Sequence, residues 1–198
     1  MMNLDLIFPE IFLSLSIMFL LMVGVFKKNS ARLVYNLSTI TLVILLFLVI
    51  NFISINENFI FNESYKVDAL STFMKSLTVT VAIFVMISSY NYLKSLNILK
   101  IEYPILILSS ILGMMIMISS NDLIVFYLGL ELQSLALYVL ASFNRDNILS
   151  SESGLKYFVL SALSSGLLLY GCSLVYGFSG STNFNFILNS PSNIENGV

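Results

Sequence analysis

Six apolar stretches, each long enough to cross a lipid bilayer, constrain this chain more than any other feature of its sequence. A bilayer core of about 30 Å is spanned by about 20 mostly apolar residues in a helix. The stretches lie at residues 6–26, 33–55, 69–93, 103–119, 122–143 and 154–178. Residues 179–198 are predicted to form a polar tail or the start of a truncated loop. We therefore expect an all-α, polytopic membrane helix bundle in contact with the lipid bilayer.

The composition agrees with this class and removes several kinds of function. Only 10% of the 198 residues are charged, whereas a soluble domain carries about 25%. The formal charge of −2 gives no basic footprint for nucleic acid. Histidine is absent and Cys172 is the one cysteine, which excludes a disulfide framework, a Cys/His zinc site, a cysteine-ligated Fe–S cluster and a histidine-ligated haem. We expect a chain with no metal, cofactor or redox centre of its own.

The basic residues predict how the bundle is oriented. Lysine and arginine accumulate in the short loops on the inner side of a membrane. Seven of the nine basic residues fall on one side of the predicted bundle and two on the other. The seven are Lys27, Lys28, Arg32, Lys94, Lys100, Arg145 and Lys156, and the two are Lys66 and Lys75. With an even number of spans, both termini are predicted to face the outer side.

Glu131 is the most informative residue because it lies near the middle of the fifth predicted span. An acidic residue at the bilayer centre costs about 2.5–3.5 kcal/mol on insertion scales, and such residues usually serve ion or proton transport. Helical spacing places Tyr127, Ser134 and Tyr138 on the same face, where their hydroxyls can hold water or relay a proton. The alternative is that Glu131 only hydrogen-bonds a neighbouring helix.

The other charges near the spans have two interpretations each. Lys156, early in the sixth span, either snorkels to the headgroups or forms a second station of a proton path. Ideal geometry offsets it from Glu131 by roughly 15 Å along the membrane normal, so a direct salt bridge is not expected. Lys75 either snorkels to the outer surface or supports transport. Glu10 and Asp122 are predicted to cap helix N-termini.

Small residues on the sixth span predict close helix packing. Ser161 and Ser165, and likewise Ala162 and Gly166, are separated by four residues. Such pairs allow another membrane helix to approach closely. We interpret this pattern as packing and not as catalysis.

Two segments resemble a known family. Residues Asn121–Leu140 read NDLIVFYLGLELQSLALYVL, and residues Glu152–Phe158 read ESGLKYF. They are similar to the fifth and sixth helices of the antiporter-like membrane subunits of respiratory complex I (NADH:ubiquinone oxidoreductase), and within these to the subunit 2 family, called subunit N in bacteria. The Pro9–Glu10 start and the segment from Val67 to Lys75 are similar as well, more loosely.

The resemblance implies a membrane-arm subunit of a proton-translocating NADH:quinone oxidoreductase. In that family the fifth-helix glutamate, here Glu131, is a key residue of the proton path, and the sixth-helix lysine, here Lys156, is proposed to take part. The resemblance also implies that NADH, flavin, Fe–S clusters and ubiquinone are used in other subunits, and that other membrane-arm subunits are the partners. The family's subunits continue beyond a sixth helix, so the chain resembles their N-terminal part. Either it is a fragment or a second chain supplies the rest.

Three hypotheses on function and two on location stay open at this point. The first function is the complex I subunit, and the second is a subunit of a multi-subunit cation/proton antiporter, which shares the fifth-helix glutamate. The third is a structural or assembly membrane protein without an ion path. Residue usage favours the mitochondrial inner membrane, with a bacterial inner membrane as the alternative.

Overall fold

The computed structural model describes residues 4–27, 30–51, 58–96 and 98–189. Six apolar helices dominate them: α1 (Phe8–Phe26), α2 (Ala31–Asn51), α3 (Ala69–Ser95), α4 (Glu102–Ile118), α5 (Leu123–Ala141) and α6 (Ile148–Ser179). Five are long and apolar enough to cross a membrane, and α4 is a shorter apolar helix. The predicted polytopic helical bundle is confirmed.

Two short elements lie outside the predicted spans. An antiparallel hairpin of β1 (Asn58–Ile60) and β2 (Tyr65–Val67) precedes α3, and the short helix α7 (Phe184–Asn189) follows α6 within the predicted polar tail. Elements of three to six residues are too short to leave a clear hydrophobic period in a sequence. They were therefore not expected from the sequence.

The turn of the hairpin is held by residues from distant parts of the chain. Phe61, Asn62 and Glu63 all have positive φ, at 55°, 52° and 66°, a conformation that is costly for residues other than glycine. The amides of Asn121 and Asn183 both donate to the Glu63 carbonyl, at 2.7 Å and 3.1 Å. These contacts bring the hairpin, the α4–α5 turn and the segment before α7 together at one end of the bundle.

The hydrophobic core lies among α1, α2, α3 and α4. Its fully buried side chains include Leu13, Leu20, Leu42, Met86, Leu108 and Ile111. Helix α5 packs closely on α4, since a Cβ at Gly113 would lie 2.6 Å from the Gln133 backbone nitrogen and one at Gly129 would lie 2.9 Å from the Met117 backbone nitrogen. This close approach fixes which face of α5 is turned away from α4.

Helix α6 begins earlier than predicted and is mostly uncovered. It begins at Ile148 and not at residue 154, because the Asn147 side chain accepts a hydrogen bond from the Leu149 backbone N–H at 2.9 Å and caps the helix there. Residues 150–153 are polar and therefore lay outside the predicted apolar span, but they are helical. Within the described residues nothing lies within 4 Å of a Cβ built at Gly166, so the close packing partner predicted for the Ala162/Gly166 pair is not among them.

Candidate functional site

Glu131 lies near the middle of α5, on a face that points away from α4. Gly129 and Gln133 contact α4, and at 100° per residue Glu131 lies on roughly the opposite side. Its carboxyl is half-buried, and the oxygen Oε1 is buried without a hydrogen-bond partner among the described residues. Unpaired buried carboxyl oxygens are costly, so this group is available to water or to a residue outside the described part of the chain.

The residues predicted to share the Glu131 face have distinct contacts. The Tyr138 hydroxyl donates to Ser161 Oγ on α6, and its ring meets Tyr157 edge-on, with centroids 4.9 Å apart. Ser134 Oγ donates to the Leu130 carbonyl at 2.7 Å, within α5 itself. Tyr127 is half-buried. The face of α5 that carries Glu131 therefore meets α6 at Tyr138, through one hydrogen bond and an aromatic ring contact.

Lys156 lies about two turns into α6 and does not contact Glu131. Its ammonium is 2.6 Å from Glu152 Oε1, one helical turn earlier, and both side chains are largely exposed. A pair at i and i+4 on an exposed helix surface contributes little stability. The absence of a direct Glu131–Lys156 salt bridge among the described contacts agrees with the expectation from helix geometry.

A second group of charges was not predicted as a group. Lys75 Nζ lies 2.6 Å from Glu10 Oε1, and both side chains are almost fully buried. The Tyr65 hydroxyl of β2 donates to the same Glu10 oxygen at 2.7 Å and accepts from Lys75 Nζ at 3.1 Å. The interpretation that Lys75 snorkels to the surface is therefore wrong. Glu10 does lie in the first turn of α1, as predicted, but the described residues show no side-chain capping hydrogen bond at that helix start, and its carboxylate is paired across the bundle.

The surroundings of this cluster keep Tyr65 protonated. Burial, together with the adjacent Glu10 carboxylate, raises the pKa of the Tyr65 phenol well above its ordinary value of 10.0. Tyr65 is therefore a neutral hydrogen-bond donor between two charges. The other Glu10 oxygen, Oε2, is buried without a partner in the described residues, and Glu10 lines an apolar groove of about 600 Å³ beside Ser64 and Leu112.

The sequence did contain a signal for the pair. Glu10 and Lys75 are opposite charges in two apolar helices, and buried charges need partners, so pairing them would have predicted an α1–α3 contact. Tyr65 carried no such signal, because its position depends on the hairpin. Asp122 caps α5 as predicted, accepting from the Ile124 backbone N–H at 2.8 Å. Within the described residues, no three His, Cys, Asp or Glu side chains come together to form a metal-binding group.

Comparisons with known proteins agree in family and in fold. Residues 120–197 match a family described as NADH:quinone oxidoreductase/Mrp antiporter. The chain is 68% identical over 186 residues to subunit N of an NADH-quinone oxidoreductase from Pelagibacter ubique, covering 93% of this chain and 39% of the relative. It is 50% identical to the subunit N of Maricaulis maris, covering 97% of this chain and 41% of that relative. The chain thus spans about two fifths of the length of these relatives.

Two solved structures share the fold. A chain of respiratory complex I from Thermus thermophilus, solved with bound aureothin, superimposes with a TM-score of 0.75 at 25% identity, covering 88% of this chain and 38% of that one. A chain of an archaeal membrane-bound sulfane sulfur reductase superimposes with a TM-score of 0.73 at 18% identity, covering 92% of this chain and 39% of that one. The second likeness concerns the fold alone.

Proposed function

From the premise that this chain belongs to the family of antiporter-like membrane subunits of NADH-quinone oxidoreductase, we propose that it contributes Glu131 to a proton path in the membrane arm of that complex. The family assignment rests on the matched family and on the identity to subunit N proteins. The observation that carries the role of Glu131 is its position near the middle of an apolar helix, with a buried carboxyl oxygen that has no hydrogen-bond partner among the residues that the structure describes. A carboxyl that only joined two helices would be hydrogen-bonded across their interface.

The chemistry of such a group is proton exchange controlled by nearby charge. A cation that approaches a carboxyl in an apolar environment favours the charged carboxylate, so the proton leaves; withdrawal of the cation favours proton uptake. Among the described residues no cation contacts Glu131, so the controlling cation comes from another part of the subunit or complex. The hydroxyls of Tyr127, Ser134 and Tyr138 support the path by holding water near the carboxyl.

Lys156 is proposed as a second station of this path. Its pairing with Glu152 on an exposed surface costs little to break, so the ammonium can move towards another partner. Lys75 is proposed to act only indirectly, because it is committed to Glu10 and Tyr65.

The redox reaction is proposed to take place in other subunits of the complex. This chain has no histidine and one cysteine, which is compatible with NADH, flavin, Fe–S clusters and ubiquinone being used elsewhere. The partners are then other membrane-arm subunits, with the remainder of this subunit in the same or in a second chain. The protein is a multi-pass membrane protein, and its identity to bacterial relatives favours a bacterial over a mitochondrial inner membrane.

A cation/proton antiporter is the second candidate, since the matched family description includes Mrp antiporters. Affinity purification from native membranes through a tag on this subunit distinguishes the two. The proposal predicts that flavin and Fe–S subunits co-purify and that the reconstituted material pumps protons only with NADH and a quinone. Sodium-driven proton exchange without NADH, and no flavin in the purified material, would instead identify an antiporter.

A further inference from the structure

A cavity of about 420 Å³ lies at the end of the bundle opposite to the hairpin. It is formed where α5 ends and where α4 and α6 begin. Ligand pockets for small molecules measure roughly 300 to 1,000 Å³, so the cavity is large enough for a compact polar group. Part of its lining is the close contact between the end of α5 and α6, where a Cβ at Gly154 would lie 2.4 Å from Ser142 Cβ.

Two cations line this cavity and have no acidic partner among the described residues. They are Lys100, in the segment before α4, and Arg145, in the α5–α6 loop. Lys100 Nζ lies 6.0 Å from the centroid of the Phe143 ring, which is itself part of the wall. Glu102 also lines the cavity, so the three charged side chains sum to one net positive charge. Their arrangement favours an anion.

Further hydrogen-bond donors are available around the two cations. Ser151 and Ser142 line the same cavity. The Ser142 hydroxyl donates to the Tyr138 and Val139 carbonyls at 3.3 Å each, and these long hydrogen bonds can be exchanged for one to a ligand. Helix α4 begins beside it, and its N-cap residue, Ile101, makes no side-chain capping hydrogen bond. The backbone N–H groups of a first helical turn lack partners within the helix and attract anions. Glu102 in that turn offsets part of this attraction.

The walls of the cavity become apolar as they join the outer surface of the bundle. Leu106, Val139 and Leu155 complete the lining, and Val139 and Leu155 are 44% and 65% exposed. On a membrane-spanning helix such exposed apolar side chains contact lipid chains or other helices. A cationic recess opening onto an apolar helix surface matches the two ends of a phospholipid.

We infer that the recess formed by Lys100, Arg145, Ser142 and Ser151 binds the phosphodiester headgroup of an anionic phospholipid. The guanidinium of Arg145 can donate two parallel hydrogen bonds to phosphate oxygens, and Lys100 adds a point charge. The acyl chains lie along Val139 and Leu155. Free inorganic phosphate shares the anionic chemistry but has no apolar part that could contact these apolar walls.

The first test measures phosphatidylglycerol binding to the delipidated membrane complex that contains the whole subunit, by native mass spectrometry in mixed micelles. The double variant Lys100→Gln/Arg145→Gln is expected to bind this lipid about 10- to 30-fold more weakly than wild type. The matched control is Lys94→Gln, because Lys94 is a cation in the last turn of α3 that does not line the cavity. Equal affinity in the double variant, or an equal loss in the control, would overturn the inference.

Two further arms fix the source of the phosphate and the occupant. Excess inorganic phosphate is expected to leave the lipid bound; its displacement would assign the recess to free phosphate. In a complex given equal amounts of phosphatidylglycerol and phosphatidylcholine, a photoreactive amino acid in place of Leu155 is expected to capture phosphatidylglycerol preferentially. One in place of Leu163, which is equally exposed but does not line the cavity, is expected to capture the two lipids without preference. Capture of a protein segment instead would show that another part of the subunit fills the recess. The photocrosslinking measurement does not require the double variant, so it tests the inference even if that variant fails to assemble.

Discussion

Lys75 Nζ lies 2.6 Å from Glu10 Oε1, and this contact joins α3 to α1 inside the apolar part of the bundle. Tyr65 completes the cluster from the hairpin and bonds to both partners. Because each charge is removed from water, each depends on the other for compensation. The cluster therefore ties three separate elements together at one point.

Removing one partner of this cluster is expected to destabilise the protein strongly. Glu10→Gln leaves the buried Lys75 ammonium without a counter-charge, and loss of one partner of a buried pair costs about 3–5 kcal/mol. Lys75→Met leaves the Glu10 carboxylate in the same situation. The double variant is expected to be more stable than either single variant, since no buried charge is left unpaired. The midpoint of thermal unfolding of the purified complex measures this.

The exposed ion pair on α6 provides the control for that experiment. Lys156→Met breaks a pair of similar length, 2.6 Å, whose side chains are largely exposed, and is expected to leave the unfolding midpoint nearly unchanged. If Glu10→Gln and Lys156→Met shifted the midpoint equally, the Glu10–Lys75 pair would have no special structural role.

The difference between α6 and the hairpin shows what the sequence can predict in a chain of this kind. Long apolar runs mark membrane-spanning helices, so the six apolar helices α1 to α6 of the described residues were predicted. They do not mark helix ends. Those ends depend on capping residues such as Asn147 and on turn contacts such as the hydrogen bond from the Asn121 amide to the Glu63 carbonyl. The hairpin left no signal because its turn of Phe61, Asn62 and Glu63 is stabilised by residues far away in the chain.

The candidate site was predictable to a similar extent. Glu131 stood out because one acidic residue interrupts a long apolar helix, and its position depends only on helix geometry. The opposite charges of Glu10 and Lys75 were a signal for their contact, but a single sequence does not say which of several charges a buried charge pairs with. Tyr65 was missed because its position depends on the hairpin.

Asp68, the N-cap of α3, is expected to make the stability of that helix end depend on pH. Burial would raise the pKa of its carboxyl, but hydrogen bonds from Ser71 and the charge of Lys66 outweigh burial and hold the pKa below its ordinary value of 3.8. A lowered folded-state pKa means that the stabilisation is complete above pH 3.8 and is lost as the pH falls through the lower, folded-state value. The protection of backbone amides at the start of α3 against hydrogen exchange, relative to their intrinsic exchange rate at each pH, should therefore fall in acid.

Asp68→Asn is the matched variant for this prediction. Asparagine caps a helix about as well as aspartate, so the hydrogen bond from the Ser71 backbone N–H, 2.7 Å in the native protein, is kept. The protection of amides at the start of α3 should then fall less in acid than it does in wild type. An equally steep acid response in Asp68→Asn would assign the effect to another group.

Single substitutions of Lys156 and of Glu152 are expected to have different effects on proton translocation. If Lys156 is a station of the proton path, Lys156→Met lowers NADH-driven proton translocation, whereas Glu152→Gln, which breaks the same ion pair, leaves it close to wild type. Proton uptake into vesicles containing the reconstituted complex measures both. An equal loss in the two variants would indicate that only the ion pair matters, and normal pumping in Lys156→Met would remove Lys156 from the path.

The most direct test of the account is NADH-driven proton pumping by the assembled complex that carries Glu131→Gln. Glutamine keeps the size and hydrogen-bonding capacity of glutamate but cannot exchange a proton. We predict that the complex assembles and that pumping is lost, while the control Glu152→Gln pumps normally. Normal pumping by an assembled Glu131→Gln complex would contradict the account and would make Glu131 a structural contact between helices.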